Sequence, residues 1–89
     1  MFDAAFESVL FTTPGKGGWT FATVPEEHSP SVAGPWGRIS VVASVDGHEW
    51  RTSVWRERTG RVLLPVPRHV RGSKGHGDTV AVRLRFTTF

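Results

Sequence analysis

Glycine and proline divide this chain into short segments, and this division constrains its fold more than any other feature. The 89 residues include ten glycines and six prolines. The segments between them alternate apolar and polar residues, which is typical of half-buried β-strands, and few positions keep the spacing of a helix. A chain with many short strands and turn signals is expected to form an all-β domain.

The alternation predicts six strands in one domain spanning residues 1–89. They are expected over FDAAFESVLFTT, WTFATV, RISVVASV, HEWRTSVWRE, RVLLPV and TVAVRLRF. Asp46 and Gly47 give the clearest hairpin signal, because a type I′ turn needs positive φ at both central positions. A short helical turn is expected after Pro25 and another after Pro67. We therefore predict a small closed six-stranded barrel with two short helical turns.

A barrel of this size has a thin core, because a short chain buries a smaller fraction of its surface. The chain contains four tryptophans and six phenylalanines. Each aromatic side chain buries on the order of 150–250 Å², so the aromatic residues are expected to supply much of the core.

The two halves of the chain resemble each other. Three pairs of segments align with small gaps: FESVLF (6–11) with WRTSVW (50–55), GWTFATVPEEH (18–28) with GRVLLPVPRHV (60–70), and GRISV (37–41) with GDTVA (77–81). We interpret residues 2–45 and 46–86 as a duplicated unit that closes one barrel about a pseudo-two-fold axis. Chance similarity between two β-rich halves is the alternative.

Charge is distributed unevenly along the chain. Residues 1–45 carry two basic and four acidic side chains, whereas residues 46–89 carry nine basic and four acidic ones. Such asymmetry can mark a surface for an anion or a nucleic acid, although solvated strand faces give the same composition. The candidate anion-binding or nucleic-acid-binding residues are Arg51, Arg56, Arg58, Arg61, Arg68, Arg71 and Lys74.

Aromatic residues supply a second set of candidates. In an alternating strand Trp50 and Trp55 point to opposite faces, so one of them is expected outside the barrel unless a loop covers it. An exposed Trp55 beside a basic side chain would stack on an unpaired base. A pocket beneath the 25–37 loop is a further possibility. The stacking and pocket candidates are Trp19, Trp36, Trp55 and His28.

The motifs of the common catalytic and metal sites do not occur in the chain. It has no cysteine, which excludes thiolate chemistry and disulfides. It has neither a nucleophile-elbow motif nor a phosphate-binding loop ahead of a helix. The run Glu26, Glu27 and His28 holds ligand atom types, but adjacent side chains seldom converge on one ion. We expect a protein that is not an enzyme and that has no cofactor or metal.

Targeting signals are also not apparent. Asp3 and Glu7 stand where a signal peptide would carry positive charge. No apolar run approaches the roughly 20 residues that cross a bilayer. We expect a cytoplasmic protein without a membrane partner, and a monomer or weak dimer, since a duplicated barrel is closed within one chain.

Four segments resemble a bacterial family called domain of unknown function 1905: GGWTFATVP, SVDGHEWRTSVW, GRVLLPVPRHVR and GHGDTVAVRL. The resemblance extends from about Phe2 to Phe86 and implies a small β-barrel. It implies no established activity for any residue here.

A more distant resemblance is to the half-barrel of AbrB-type and MazE-type transcription factors, which build a barrel from two identical chains. It rests on an apolar strand, a proline with basic residues, a Gly-Asp pair and an alternating strand. The first half has Glu26 and Glu27 where the second has Arg68 and His69, so a basic surface would not be two-fold symmetric. Our leading hypothesis is a non-enzymatic binding module for an anionic partner or another protein. The alternative is a nucleic-acid-binding barrel of the AbrB type that uses the basic second half.

Overall fold

The computed structural model describes residues 2–14, 18–29 and 37–87. The strands are β1 (Ala4–Thr12), β2 (Thr20–Val24), β3 (Arg38–Val45), β4 (His48–Arg56), β5 (Val62–Pro65) and β6 (Thr79–Phe86). A 3-10 turn, Glu26–His28, follows β2, and a short helix, α1 (Arg68–Arg71), follows β5. The six predicted strands and the two helical turns are confirmed. None of the described helices has the length and apolar character needed to cross a membrane.

The strands close into an antiparallel barrel in the order β1-β2-β5-β4-β3-β6. This order is unchanged when β1 is exchanged with β4, β2 with β5, and β3 with β6. The segments that align in sequence occupy exchanged places, since FESVLF lies in β1 and WRTSVW in β4. The β2–β5 ladder is centred on Ala22 opposite Leu64, which are aligned positions of the two halves. The connectivity is therefore two-fold symmetric, whereas duplication as its origin stays a prediction.

Aliphatic side chains fill the barrel. The core consists of valine, leucine, isoleucine and alanine, and buried and exposed residues alternate along β6 as the sequence indicates. None of the described aromatic side chains is fully buried; Phe6, Trp50 and Phe86 pack against the core while partly exposed. The expectation that aromatic residues supply much of the core is wrong for the described residues. An eight-stranded barrel is just wide enough for side chains to fill, and six strands enclose less space.

The hairpin between β3 and β4 has the predicted turn geometry. Asp46 has φ 49° and Gly47 has φ 88°, as a type I′ turn requires. The Asp46 carboxylate accepts hydrogen bonds from the Ala81 backbone amide at 2.9 Å and from Lys74 Nζ at 2.8 Å. The turn is therefore fastened to β6 and to the loop that follows α1.

Replacing Gly47 with alanine should destabilise the protein through the backbone alone. A Cβ at this position would meet nothing within 4 Å, but φ is +88°, and the left-handed region costs an L-residue about 1–2 kcal/mol. Gly75→Ala is the matched control, because it also meets open space without a positive φ. Urea unfolding measures the free energy of unfolding of both variants, and only Gly47→Ala should lower it. Equal losses would contradict the turn assignment.

Removing the Asp46 charge should have a pH-dependent effect on stability. The Ala81 amide and then the Lys74 ammonium group lower the pKa of Asp46 from its usual value of 3.8. A lowered pKa stabilises the fold above the unfolded-state pKa, and this contribution is lost as the pH falls through the folded-state pKa. At pH 7 Asp46→Asn should lose about 1 kcal/mol or less, and the loss should shrink below about pH 4. Thermal unfolding from pH 7 to pH 2 checks this; a constant difference would contradict it.

Candidate ligand-binding cleft

Neighbouring strands separate at two places in the barrel. The strand β1 pairs with β2 only at residues 10–12, and β4 pairs with β5 only at Trp55 and Arg56. Residues 4–9 of β1 and 48–54 of β4 therefore have no strand partner on that edge within the described chain. The symmetric exchange of strands relates the two gaps to each other.

Two prolines lie where the ladder between β4 and β5 ends. The Glu57 backbone amide donates to the Arg61 carbonyl at 2.8 Å and closes the turn between the two strands. Since hydrogen-bonded pairs alternate along an antiparallel ladder, this bond determines which of the following pairs are hydrogen-bonded. Continued in the same register, the next such pairs would be Ser53 with Pro65 and Arg51 with Pro67. Proline has no backbone N–H to donate, so each of these pairs would lack one hydrogen bond. The β1–β2 ladder ends at the equivalent place, although Thr23 stands there where β5 has Pro65.

The first gap is filled by its own side chains. The Ser8 hydroxyl donates to the Thr23 backbone carbonyl at 3.0 Å, across the space between β1 and β2. The Phe6 ring stacks on the His28 imidazole, with centroids 5.6 Å apart and planes inclined by 16°. The 3-10 turn thereby covers this opening.

The second gap is open and forms a cleft of about 410 Å³. Thr52 is the aligned counterpart of Ser8, but its hydroxyl makes no hydrogen bond to β5 in the described structure. Val70 is the counterpart of His28, and its small side chain is buried in the core rather than stacked over the opening. The residues that give the cleft its chemical character are Trp19, Thr20, Trp50, Thr52, Arg68 and Arg71.

Two arginines from α1 border the cleft. Arg71 Nη1 donates to the Val66 backbone carbonyl at 3.1 Å, while Arg71 Nε is buried and has no hydrogen-bond partner among the described residues. Arg68 is exposed. Neither arginine forms an ion pair with a carboxylate of the described residues. Both arginines line the cleft, so their positive charges would stabilise an anionic group bound in it.

An apolar groove of about 280 Å³ adjoins the cleft. It is lined by Trp19, Phe21, Trp55, Leu63 and Pro65, of which Trp19 and Pro65 also line the cleft. Trp19 is 66% exposed and Trp55 is 41% exposed. The prediction that one tryptophan of β4 lies outside the barrel is confirmed for Trp55.

The aromatic residues of the groove are held in place by stacking and by cations. Trp19 stacks on Phe21, with centroids 6.4 Å apart. The Arg38 guanidinium lies 4.8 Å from the centre of the Trp55 ring. A ring and a guanidinium in this arrangement attract each other, so one face of Trp55 is occupied by a cation.

The predicted basic residues are spread over several parts of the surface. Arg61 pairs with Glu57 at 2.7 Å, and Lys74 pairs with Asp46. Their charges are therefore partly neutralised. Arg58 is exposed in the turn between β4 and β5, and the partly buried Arg56 ends β4.

A second basic site lies on the outer surface of β4, β3 and β6. Arg51 and Arg85 flank Val42 from the two neighbouring strands, and with Ser40 and Thr87 they line a depression of about 390 Å³. Arg51 is among the predicted residues, whereas Arg85 was missed. The alternation TVAVRLRF places Arg85 on the outer face, but its position opposite Arg51 depends on a register between distant strands.

The predicted aromatic pocket is only partly described. Trp19 lines the cleft and the groove, whereas His28 stacks on Phe6 at the other gap. Trp36 lies outside the described residues. His28 lines neither the cleft, the groove nor the depression, so it does not share a cavity with Trp19. No three histidine or carboxylate side chains of the described residues are grouped in a way that could hold a metal ion.

Residues 6–84 match the family model described as Domain of unknown function (DUF1905). The chain belongs to this family. The DUF1905 match includes the strands on both sides of the cleft, α1 and all residues that line the groove. No curated protein matches the chain.

The two gaps should respond differently to loss of their hydroxyl groups. Ser8→Ala should lower the free energy of unfolding by about 1 kcal/mol, because a part-buried hydrogen bond to Thr23 is lost. Thr52→Val keeps the side-chain shape and loses no observed hydrogen bond, so its change should stay within about 0.5 kcal/mol. Chemical denaturation measures both. A larger loss for Thr52→Val would contradict the assignment of the second gap as the open one.

Proposed function

We propose that this DUF1905 protein is a non-enzymatic binding module whose cleft between β4, β5 and α1 takes an anionic group of its partner. The observation that carries the proposal is the pair Arg68 and Arg71, which line a cleft of about 410 Å³ and form no ion pair with a carboxylate of the described residues. Two guanidinium groups without carboxylate partners favour an anion, because charge-assisted hydrogen bonds are the stronger kind.

The comparison between the two gaps supports this assignment. When the two halves are aligned on their Val-Pro pairs, Glu26 stands in the place of Arg68 and Ser29 in the place of Arg71. The Ser29 hydroxyl donates to the Pro25 carbonyl at 3.0 Å. The first gap therefore has an acid and a satisfied hydroxyl where the second has two cations.

The proposal includes an origin by duplication. The symmetric connectivity and the equivalent places of the aligned segments support it. After a duplication, one gap could keep its closing contacts while the other diverged toward binding. A bacterial origin, a cytoplasmic location and a monomeric or weakly dimeric state belong to the same proposal.

Nucleic acid is the second candidate function. The exposed faces of Trp19 and Trp55 favour a single strand, whose bases stack on aromatic side chains. A duplex is less favoured, because Arg61 and Lys74 already pair with carboxylates.

Titration of the ¹⁵N-labelled chain with inorganic phosphate tests the proposed site. The Nε–Hε resonances of Arg68 and Arg71 should shift with phosphate, and they should shift less with sodium chloride at the same ionic strength. Arg68→Gln should weaken this binding by about tenfold, since a charged hydrogen bond is lost. Arg85→Gln, in the separate depression, is the matched control and should leave it unchanged.

Equal shifts with phosphate and chloride would overturn the proposal. It would also fail if Arg68→Gln left the titration unchanged. The side-chain resonance of Arg85 reports on the depression across β3, which shares Thr52 with the cleft. Shifts at Arg85 without shifts at Arg68 would therefore place the anion site elsewhere.

A further inference from the structure

The cleft and the apolar groove form one continuous surface. They share Trp19 and Pro65. The cationic end is formed by Arg68 and Arg71, and the apolar end by Trp55 and the residues around it. A ligand that uses the whole surface must carry an anionic group close to a large apolar group.

The free edge of β4 adds a third recognition element. Val45 and His48 flank the two-residue turn and form a hydrogen-bonded pair. Backbone hydrogen bonds alternate along an antiparallel ladder, so the peptide groups of Arg51 and Ser53 point away from β3. On the side that faces β5, no described strand pairs with Arg51 or Ser53, because β5 pairs with β4 only at Trp55 and Arg56. An extended peptide satisfies such an edge by adding as a strand.

We infer that the ligand is the C-terminal segment of a peptide chain, with its terminal carboxylate at Arg68 and Arg71 and a large apolar side chain in the Trp19–Trp55 groove. This inference rests on the proposed function and names its ligand class. A carboxylate matches the planar donor geometry of a guanidinium. The β4 edge favours a peptide over a small aromatic acid, which has no backbone to pair with it.

Calorimetric titration of the full chain with matched peptides tests the inference. The probes are an acetylated hexapeptide ending in Leu-Phe with a free carboxylate, its C-terminal amide, and the same peptide ending in Gly-Ser with a free carboxylate. The Leu-Phe acid should bind at least about tenfold more tightly than either control, since loss of a charged hydrogen bond or of buried apolar area is worth this factor or more. Phenylpropionate is the small-acid probe and should bind more weakly than the peptide.

Two variants separate the groove from the anion site. Trp55→Ala should weaken binding of the Leu-Phe acid by at least about fivefold, because apolar contact is lost. It should leave the phosphate titration unchanged. Val9→Ala is the matched control, because Val9 is 55% exposed and lies outside the groove. In the labelled chain, the Arg51 and Ser53 amides should shift with the peptide and not with phenylpropionate.

Each contrary outcome has a defined meaning. If phosphate binds at Arg68 while the Leu-Phe acid and its C-terminal amide bind with equal affinity, the peptide inference fails and the proposed function stands. If neither phosphate nor peptide binds, both fail. Phenylpropionate binding as tightly as the peptide overturns the peptide assignment. The inference is also overturned if a thymidine oligonucleotide binds at the groove and the Leu-Phe acid does not.

Discussion

Closure of six short strands into one barrel is the constraint on which the other features depend. The enclosed space accepts aliphatic side chains, and the described core is valine, leucine, isoleucine and alanine. The described aromatic residues consequently lie at the barrel ends or on its outer face. Phe6 and Trp50 pack against the core while partly exposed, whereas Trp19 and Trp55 form a groove outside. The groove that is available for binding is thus lined by aromatic residues, including Trp19 and Trp55, that the core does not bury.

Two prolines adjoin the cleft. Pro65 and Pro67 occupy the places where β5 would have to donate hydrogen bonds to continue along β4. In the first half, Thr23 stands in the place of Pro65, and its carbonyl accepts the bond from Ser8 that closes the first gap. Proline also has a backbone carbonyl, so the contacts of Ser8, Phe6 and His28 distinguish the closed gap from the open one.

Local patterns predicted the strands well because they depend on neighbouring residues. Alternation gave the strand positions and placed Trp50 and Trp55 on opposite faces, and Asp46 with Gly47 gave the hairpin. The cleft was not predicted, because it depends on where two strands separate, although the prolines at alternate positions carried a signal for it. The position of Arg85 opposite Arg51 was missed for a related reason. The Asp46-Gly47 hairpin sets the register of β3 with β4, but the register of β3 with β6 joins strands that are distant in sequence, and no local pattern encodes it.

The symmetric connectivity gives this molecule an internal standard. The edges of β1 and β4 occupy equivalent places in one fold, and one is covered by Ser8, Phe6 and His28 while the other borders the cleft. Both edges experience the same global unfolding, solvent and temperature. A difference in the free energy of local opening between them then reflects the local sequence and the covering contacts of each edge, so one folded chain contains both a closed edge and its open counterpart.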